Sequence, residues 1–231
     1  MVDIIKSGLT VAPDTAPTGN PDVVVLLDAS GSMQGQRESV VSTFNEFVES
    51  VKEAAHSISL YMFDSNGIME KIHKENPSRI RKMTLKDYVP GLLTPLYDAM
   101  GKVMSQFEDS DRNVQFVTHT DGLENSSVEW NYEKLKEYIA ILTKKGWLFV
   151  YLGEGMEGKA ELSKFKGVKM NFSPENRDQT MRGLVGATAS YAATASNDMH
   201  VYTNNLDGVI DVDKGETVKP WVQKRSVTPD P

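Results

Sequence analysis

Residues 23–33 read VVVLLDASGSM and join an apolar run to a polar turn. Its first five residues are apolar and rich in β-branched valine, which is typical of a strand buried on both faces of a parallel sheet. The run ends at Asp28, where oxygen-bearing side chains begin to alternate along a tight turn. From Arg37 onward, apolar residues recur at helical spacing. The stretch and its continuation therefore predict a strand, a polar turn and an amphipathic helix.

The same alternation of strands and helices continues along the chain. Asn66-Gly67 is typical of a hairpin turn, so residues 68–72 are predicted to form a short antiparallel edge strand. Alternating strands and helices predict an α/β fold with a doubly wound, mostly parallel sheet. The other strands are predicted at residues 57–63, 114–118, 147–152 and 168–172, and a short helix at residues 157–165.

Three helix starts are predicted from capping signals. Thr94 followed by Pro95 is typical of an N-cap with proline at the first helical position. Ser126 and Glu129 fit a capping box ahead of the next helix. The stretch at 173–175, Ser-Pro-Glu, is predicted to open the last helix.

The 231 residues fit one domain with flanking segments. Residues 1–21 are rich in proline toward their end and are predicted to be an extended lead-in. Residues 22–195 carry the alternating pattern. Residues 196–231 are polar and are predicted to be a tail or a docking extension. Within them, Trp221 is predicted either to pack on its own domain or to anchor a partner.

Composition excludes several classes of function. The chain has no cysteine, so thiolate zinc sites, disulfides and cysteine nucleophiles are excluded. Its net charge of −7 argues against nucleic acid or an anionic membrane as the main partner. The N-terminus does not resemble a signal peptide, and no apolar run approaches the roughly 18 residues that span a bilayer. We therefore expect a cytoplasmic protein.

Five oxygen-bearing residues are predicted to meet at one edge of the sheet. Asp28 and Asp121 follow strands, Ser30 and Ser32 lie on the first turn, and Thr94 precedes a helix. Ligands of doubly wound sheets bind at the carboxyl ends of the strands. Mg²⁺ prefers hard oxygen ligands of this kind. The sequence therefore predicts a Mg²⁺ site, with Mn²⁺ or Ca²⁺ as alternatives.

Three motifs in the right order resemble a known family. DASGSM after VVVLL resembles the metal-ion-dependent adhesion site of von Willebrand factor type A (vWA) domains. Residues 91–96, GLLTPL, resemble the second motif of that family, and residues 120–122, TDG, resemble its third. The resemblance covers residues 22–195 and is strongest to small free-standing domains of bacteria and their phages. It implies a Rossmann-like vWA fold with a complete adhesion site.

The resemblance also implies a role for each residue of the site. Ser30 and Ser32 bind the metal directly through their hydroxyls, and Thr94 binds it directly or through water. Asp28 and Asp121 act directly or through water and hold the hydroxyls in place. Because most of these ligands are neutral, the ion seeks one more anionic oxygen from an Asp or Glu of a partner protein. We therefore expect a metal-dependent protein–protein interaction module and no catalysis.

Two biological settings fit that expectation. One is a regulatory or scaffolding module in a bacterial cytoplasmic complex, together with an AAA-type ATPase. The other is a structural or decorating subunit of a phage or phage-like particle, assembled in the host cytoplasm, with the segments 1–21 and 196–231 as docking arms.

Three enzymatic or nucleotide-binding alternatives are weaker. A Mg²⁺-dependent phosphohydrolase would use Asp28 as its nucleophile, but Ser30 stands where a second aspartate is needed for acid–base work. Residues 153–158 match the dinucleotide pattern GxGxxG but carry two glutamates in the loop. His119 could form a triad with a serine and Asp121, although a packed strand-end histidine is the commoner arrangement.

Overall fold

The computed structural model describes residues 19–121, 123–153, 161–171 and 177–193, together with the strand residues 210–211 and 216–217. Within these residues the strands are β1 (Asp22–Asp28), β2 (Ser57–Asp64), β3 (Gly67–Glu75), β4 (Val114–His119), β5 (Leu148–Gly153), β6 (Val168–Asn171), β7 (Ile210–Asp211) and β8 (Glu216–Thr217). The α-helices are α1 (Arg37–Ser50), α2 (Leu96–Ser105), α3 (Tyr132–Lys144) and α4 (Arg177–Ala193). Short 3-10 helices span Gly31–Gln36, Pro77–Arg79 and Glu161–Lys164. No helix in the described ranges is long and apolar enough to cross a membrane.

All eight strands form one sheet in the order β3-β2-β1-β4-β5-β6-β7-β8. The pairs β1–β2, β1–β4, β4–β5 and β5–β6 are parallel, whereas β3 pairs antiparallel with β2. The predicted α/β class with a doubly wound, mostly parallel sheet is confirmed. The strands predicted from apolar runs are present, with ends that differ by one or two residues.

The sheet edges differ from the prediction. The antiparallel edge strand β3 has nine residues and is not short, because its exposed, largely polar half continues the pairing beyond the apolar residues. At the opposite edge, Lys169 of β6 pairs antiparallel with Ile210 of β7, and β7 pairs with β8. The polar sequence there carries no strand periodicity, so these two-residue strands were not predicted. The domain limits at residues 22 and 195 stay a prediction.

The core has two layers, one on each face of the sheet. In β1, Val23, Val25 and Leu27 face the cluster that includes α1 and α4, and Val24 and Leu26 face the cluster that includes α2 and α3. Each such burial stabilises the fold by about 1.5–3 kcal/mol. Burial on both faces explains why this strand is continuously apolar and shows no alternation.

The strand order reverses direction between β1 and β4. From β1 the chain continues outward to β2 and β3, and it then crosses back to β4 on the other side of β1. The carboxyl ends of two parallel strands diverge at such a switch point and leave a crevice where ligands bind. Asp28 ends β1, and Thr120 follows β4 directly. The fold therefore brings the first and third sequence motifs to one place.

The start of α2 corrects the predicted cap at Thr94. Pro95, and not Thr94, takes the N-cap position, and no side chain of the cap residue bonds to the helix. The Tyr97 N–H in the first turn instead donates to Glu124 Oε2 at 2.9 Å. A distant loop therefore satisfies a helix end that local sequence was expected to satisfy, and Thr94 remains available for another role.

The predicted capping box at Ser126 and Glu129 is also wrong. Helix α3 begins later, and Asn131 is its N-cap, whose side chain accepts from the Lys134 N–H at 3.0 Å. The Glu129 N–H donates to Asp98 Oδ1 at 2.9 Å, so this segment is used to pack against α2. The predicted opening of the last helix at 173–175 lies outside the described residues.

Candidate metal centre

Asp28 lies fully buried at the end of β1, and both of its carboxylate oxygens accept hydrogen bonds. The Ser30 N–H donates to Oδ1 at 2.7 Å, and the Thr120 hydroxyl donates to Oδ2 at 2.6 Å. The Tyr88 hydroxyl donates to the Asp28 backbone carbonyl. These bonds fix the side chain and the turn that follows it.

The turn after β1 presents two serine hydroxyls side by side. Ser30 Oγ and Ser32 Oγ lie 3.1 Å apart. Ser30 is buried, whereas Ser32 is exposed at the surface. The alternation seen in the sequence therefore places two hydroxyl oxygens on the same side of the turn. The one of Ser30 belongs to a buried residue and the one of Ser32 to an exposed residue.

The loop before α2 is bonded to this turn through the backbone. The Gly91 N–H donates to the Ala29 carbonyl at 2.8 Å, and the Gly31 N–H donates to the Leu92 carbonyl at 3.0 Å. Leu92 has a φ of 66°, in the left-handed region. The two loops that carry Ser30 and Thr94 consequently form one connected unit.

Thr94 is held between that unit and the loop after β4. Its N–H donates to Asn125 Oδ1 at 2.9 Å, and the Asn125 N–H donates back to the Thr94 carbonyl at 3.2 Å. The Thr94 hydroxyl makes no hydrogen bond within the part of the chain that the structure describes. An ion at the site would give this oxygen a partner.

Asp121 follows Thr120 directly and is partly exposed. Its Oδ1 lies 3.4 Å from the Leu123 N–H, which is a long contact. Neither Asp28 nor Asp121 forms an ion pair with a basic side chain among the described residues. Among the described residues, the two carboxylates therefore repel each other without an ion pair that would offset the repulsion.

Burial, and to a smaller extent the neighbouring carboxylates, changes the ionisation of two groups at this site. Burial raises the pKa of Asp28 to about 6 against the opposing hydrogen bonds from Thr120 and Ser30, and the Asp121 carboxylate adds to the rise. Burial also raises the pKa of Tyr88, and both carboxylates contribute. A cation beside the two aspartates would reverse this penalty.

The residues present fit a hard divalent ion. Carboxylate and hydroxyl oxygens are ligands that Mg²⁺ and Mn²⁺ accept, and Mg²⁺ usually retains some water. No group of three or more His, Cys, Asp or Glu side chains placed to hold a metal occurs among the described residues. The candidate ligands therefore carry few charges: two are carboxylates, and the neutral hydroxyl oxygens belong to Ser30, Ser32 and Thr94.

Sequence reasoning missed the residues that hold this arrangement. Thr120 adjoins Asp121 in the TDG motif, so its position gave a usable signal. Tyr88, Asn125 and Glu124 gave none, because each reaches the site across a long stretch of chain. Such bonds depend on the tertiary fold and leave no local pattern.

The structure weighs against two of the alternatives. Asp28 is a poor nucleophile, since it is fully buried and both of its oxygens are engaged as acceptors. His119 is buried toward the α1 and α4 side, and burial lowers its pKa to about 4. Gly153 ends β5, but the remainder of the GxGxxG match, residues 154–158, lies outside the described residues.

The fold and the site together define an α/β domain with an oxygen-donor site at the switch point of its sheet. This is the fold of vWA domains, as solved structures show. The chain matches the von Willebrand factor domain of the type V pili tip protein Mfa5 from Porphyromonas gingivalis with a TM-score of 0.53 at 11% identity, covering 74% of this chain and 95% of that one.

Two further solved structures agree. Manganese-loaded TRAP protein from Plasmodium vivax has a TM-score of 0.51 at 14% identity, covering 72% of this chain and 74% of that one. Proximal thread matrix protein 1 from the mussel byssus has a TM-score of 0.55 at 14% identity, covering 75% of this chain; the chain spans 49% of the length of that protein. No family model and no curated protein matches the sequence. Identities this low establish the fold alone.

Proposed function

We propose that this chain is a metal-dependent protein–protein interaction module. Mg²⁺ or Mn²⁺ binds to Asp28, Ser30, Ser32, Thr94 and Asp121, and a carboxylate of a partner protein completes its coordination. The observation that carries the proposal is the pair of aspartates at the switch point, which has no basic partner among the described residues and lies beside convergent hydroxyls.

The chemistry of the donor set explains why the partner should be acidic. Three of the five proposed ligands are neutral hydroxyls, and octahedral Mg²⁺ has a sixth position, usually filled by water, that a further anionic oxygen can take. The partner side chain enters from the surface because Ser32 and Asp121 are the accessible members of the set. The protein residues position the ion and offset its charge, and the ion attracts the carboxylate of the partner.

The structural relatives support the same type of function. TRAP was crystallised loaded with manganese, and the Mfa5 domain belongs to a pilus tip protein. These properties belong to those proteins. They are consistent with a module that uses a vWA fold to hold a divalent ion and to contact another protein.

The charge of the chain bears on the kind of partner. An acidic chain with a net charge of −7 favours a protein partner over nucleic acid or an anionic membrane. We propose a scaffold or regulatory role in a cytoplasmic bacterial complex with an AAA-type ATPase, or a structural role in a phage particle. Trp221, proposed as a partner anchor, lies outside the described residues.

Peptide binding tests the proposal. Short peptides with a central Glu, and matched peptides with Gln, are immobilised at high density and probed with the protein by biolayer interferometry. We expect binding to the Glu peptides in Mg²⁺, no binding in EDTA, and no binding to the Gln peptides. Ser32→Ala should weaken binding, whereas the exposed control Ser78→Ala should leave it unchanged. Equal binding to Glu and Gln peptides contradicts the proposal.

A further inference from the structure

Large apolar side chains are exposed on the two loops that carry Thr94 and Asp121. Among the described residues, eight large hydrophobic side chains are exposed, and six of them lie on the connections 80–95 and 120–131. Four of the six lie within five residues of Thr94 or Asp121, and we call them the apolar rim: Val89, Leu92, Leu93 and Leu123, each 52–65% exposed. Leu85 and Val128 lie farther along the same connections, and Met69 and Ile141 lie on β3 and α3.

The rim is held by backbone hydrogen bonds. The Leu92 carbonyl accepts from the Gly31 N–H at 3.0 Å, and the Leu93 N–H donates to Ser65 Oγ at 3.3 Å. Leu123 lies two residues after Asp121, and its N–H makes the long 3.4 Å contact with Asp121 Oδ1. The exposed side chains are therefore presented from the same backbone that positions the metal ligands.

Leu92 adds an independent observation. Its φ of 66° is in the left-handed region, where glycine or asparagine is usual and a leucine is disfavoured. More than half of its side chain is exposed, so it contributes little to the core that would offset this cost. Strained residues of this kind concentrate at functional sites. A leucine here is best explained by contact with something outside the domain.

The rim lies on the loops that carry Thr94 and Asp121 of the proposed centre, and this combination indicates the occupant. Isolated exposed apolar residues are ordinary, but a group around a polar site marks an interaction surface. The protein itself carries a net charge of −7, which opposes additional acidic groups on the partner. A partner segment with one carboxylate and apolar neighbours can bind the ion and pack on the rim, and it adds little repulsion from the negative net charge.

We infer that the partner segment carries a single Asp or Glu flanked by bulky apolar side chains, which pack on the apolar rim when the carboxylate reaches the ion. This inference rests on the proposed function and names the partner's local sequence. A run of acidic residues, in contrast, is disfavoured.

Three sets of immobilised peptides test the inference in Mg²⁺. Each peptide has a central Glu, flanked by leucines, by serines or by aspartates. Burying two leucine side chains should give the first set at least about tenfold tighter binding than the second, and the third should bind most weakly. Leu92→Gly should remove much of the preference while its melting temperature stays equal or rises, because glycine accepts this backbone conformation.

Matched variants separate the possible outcomes. Leu123→Ser, on the other loop, should also reduce the preference, whereas Ile141→Ser, equally exposed on α3, should not. Equal binding of the leucine and serine sets in Mg²⁺ contradicts the role of the apolar rim but not the proposed metal-dependent binding. Absence of Mg²⁺-dependent binding to every Glu peptide overturns the proposed function and, with it, the inference.

Discussion

Thr120 donates its hydroxyl hydrogen to Asp28 Oδ2 at 2.6 Å, across the point where the sheet reverses its strand order. The bond joins residues that are 92 positions apart in the chain. It satisfies a fully buried carboxylate and ties the turn after β1 to the loop that begins at Thr120. The next residue, Asp121, is thereby placed within electrostatic reach of Asp28.

Removing this hydroxyl should destabilise the protein. Thr120→Val keeps the shape of the side chain but leaves a buried carboxylate oxygen without its donor. The expected loss is about 1–3 kcal/mol in the free energy of unfolding, measured by urea denaturation in EDTA at neutral pH.

Thr118, near the end of β4 and two residues before Thr120, provides the matched control. It is equally buried, but its hydroxyl has no hydrogen-bond partner among the described residues. Thr118→Val should therefore be neutral or stabilising, since it removes an unsatisfied buried polar group. Equal losses for the two variants would show that the bond to Asp28 contributes nothing.

A glycine on α2 is required by close packing. A Cβ at Gly101 would lie 2.2 Å from ring atoms of Trp130, which no real contact permits. Gly101→Ala should destabilise the protein by about 1–3 kcal/mol, because the indole and its loop must shift. Gly35→Ala, where a Cβ meets nothing within 4 Å, should cost far less in the same thermal or urea unfolding experiment.

Asp98 should stabilise the segment that leads to α3. Its Oδ1 accepts from the N–H groups of Glu129 and Trp130 at 2.9 and 2.7 Å, and its Oδ2 accepts from that of Val128 at 2.9 Å. Asp98→Asn turns one acceptor into a donor that faces an N–H. The expected cost is about 2 kcal/mol at neutral pH, measured by urea unfolding.

The cost of Asp98→Asn should depend on pH. Burial alone would raise the pKa of Asp98, but the three backbone donors outweigh burial and lower it. A carboxyl with a lowered folded-state pKa stabilises the protein above its unfolded pKa of about 3.9, and this contribution is lost as the pH falls further. The difference between wild type and variant should therefore shrink in acid; a difference independent of pH would contradict this account.

Asp28 should show the opposite pH dependence. Its pKa is raised to about 6 in the folded protein, so folding favours the protonated form. Between pH of about 4 and 6, the metal-free protein should lose about 3 kcal/mol of stability as the pH rises, because only the unfolded chain releases the proton freely. Asp28→Asn should abolish this slope in EDTA, and comparison of the two proteins cancels the titration of other groups.

Added Mg²⁺ should remove the same slope in the wild type. The ion favours the ionised carboxylate, so the increase in melting temperature on adding Mg²⁺ should grow from pH 5 to pH 7.5. A Mg²⁺ effect that is equal at both pH values would argue that Asp28 is not part of the metal centre.

Much of the fold was predictable because local pattern and burial agree. The continuous apolar run at 23–27 requires burial on both faces, and the Asn-Gly pair indicates a hairpin. The hairpin is present, but its turn is Ser65-Asn66 and not the predicted Asn66-Gly67, because Gly67 already pairs with Asp64 as the first residue of β3. The strand ends then placed Asp28 and Asp121 at one edge by a general rule of doubly wound sheets. Where several signals agree in this way, one sequence is enough to predict the arrangement.

The errors arose where distant groups replace local ones. Glu124 satisfies the start of α2 in place of Thr94, and Asp98 holds the segment that resembles a capping box. Tyr88 reaches the Asp28 carbonyl from a loop with no predicted structure. These bonds exist only once the sheet is assembled, so no local pattern encodes them.

Calorimetric titration of the EDTA-stripped protein with Mg²⁺ and with Mn²⁺ at pH 7.5 measures metal binding at the site directly. We predict one binding site per chain in the wild type. The double variant Ser30→Ala, Ser32→Ala should bind at least about tenfold more weakly while its unfolding midpoint in EDTA stays close to that of the wild type. Absence of binding by the folded wild type, or equal affinity in the double variant, would contradict the proposed metal centre.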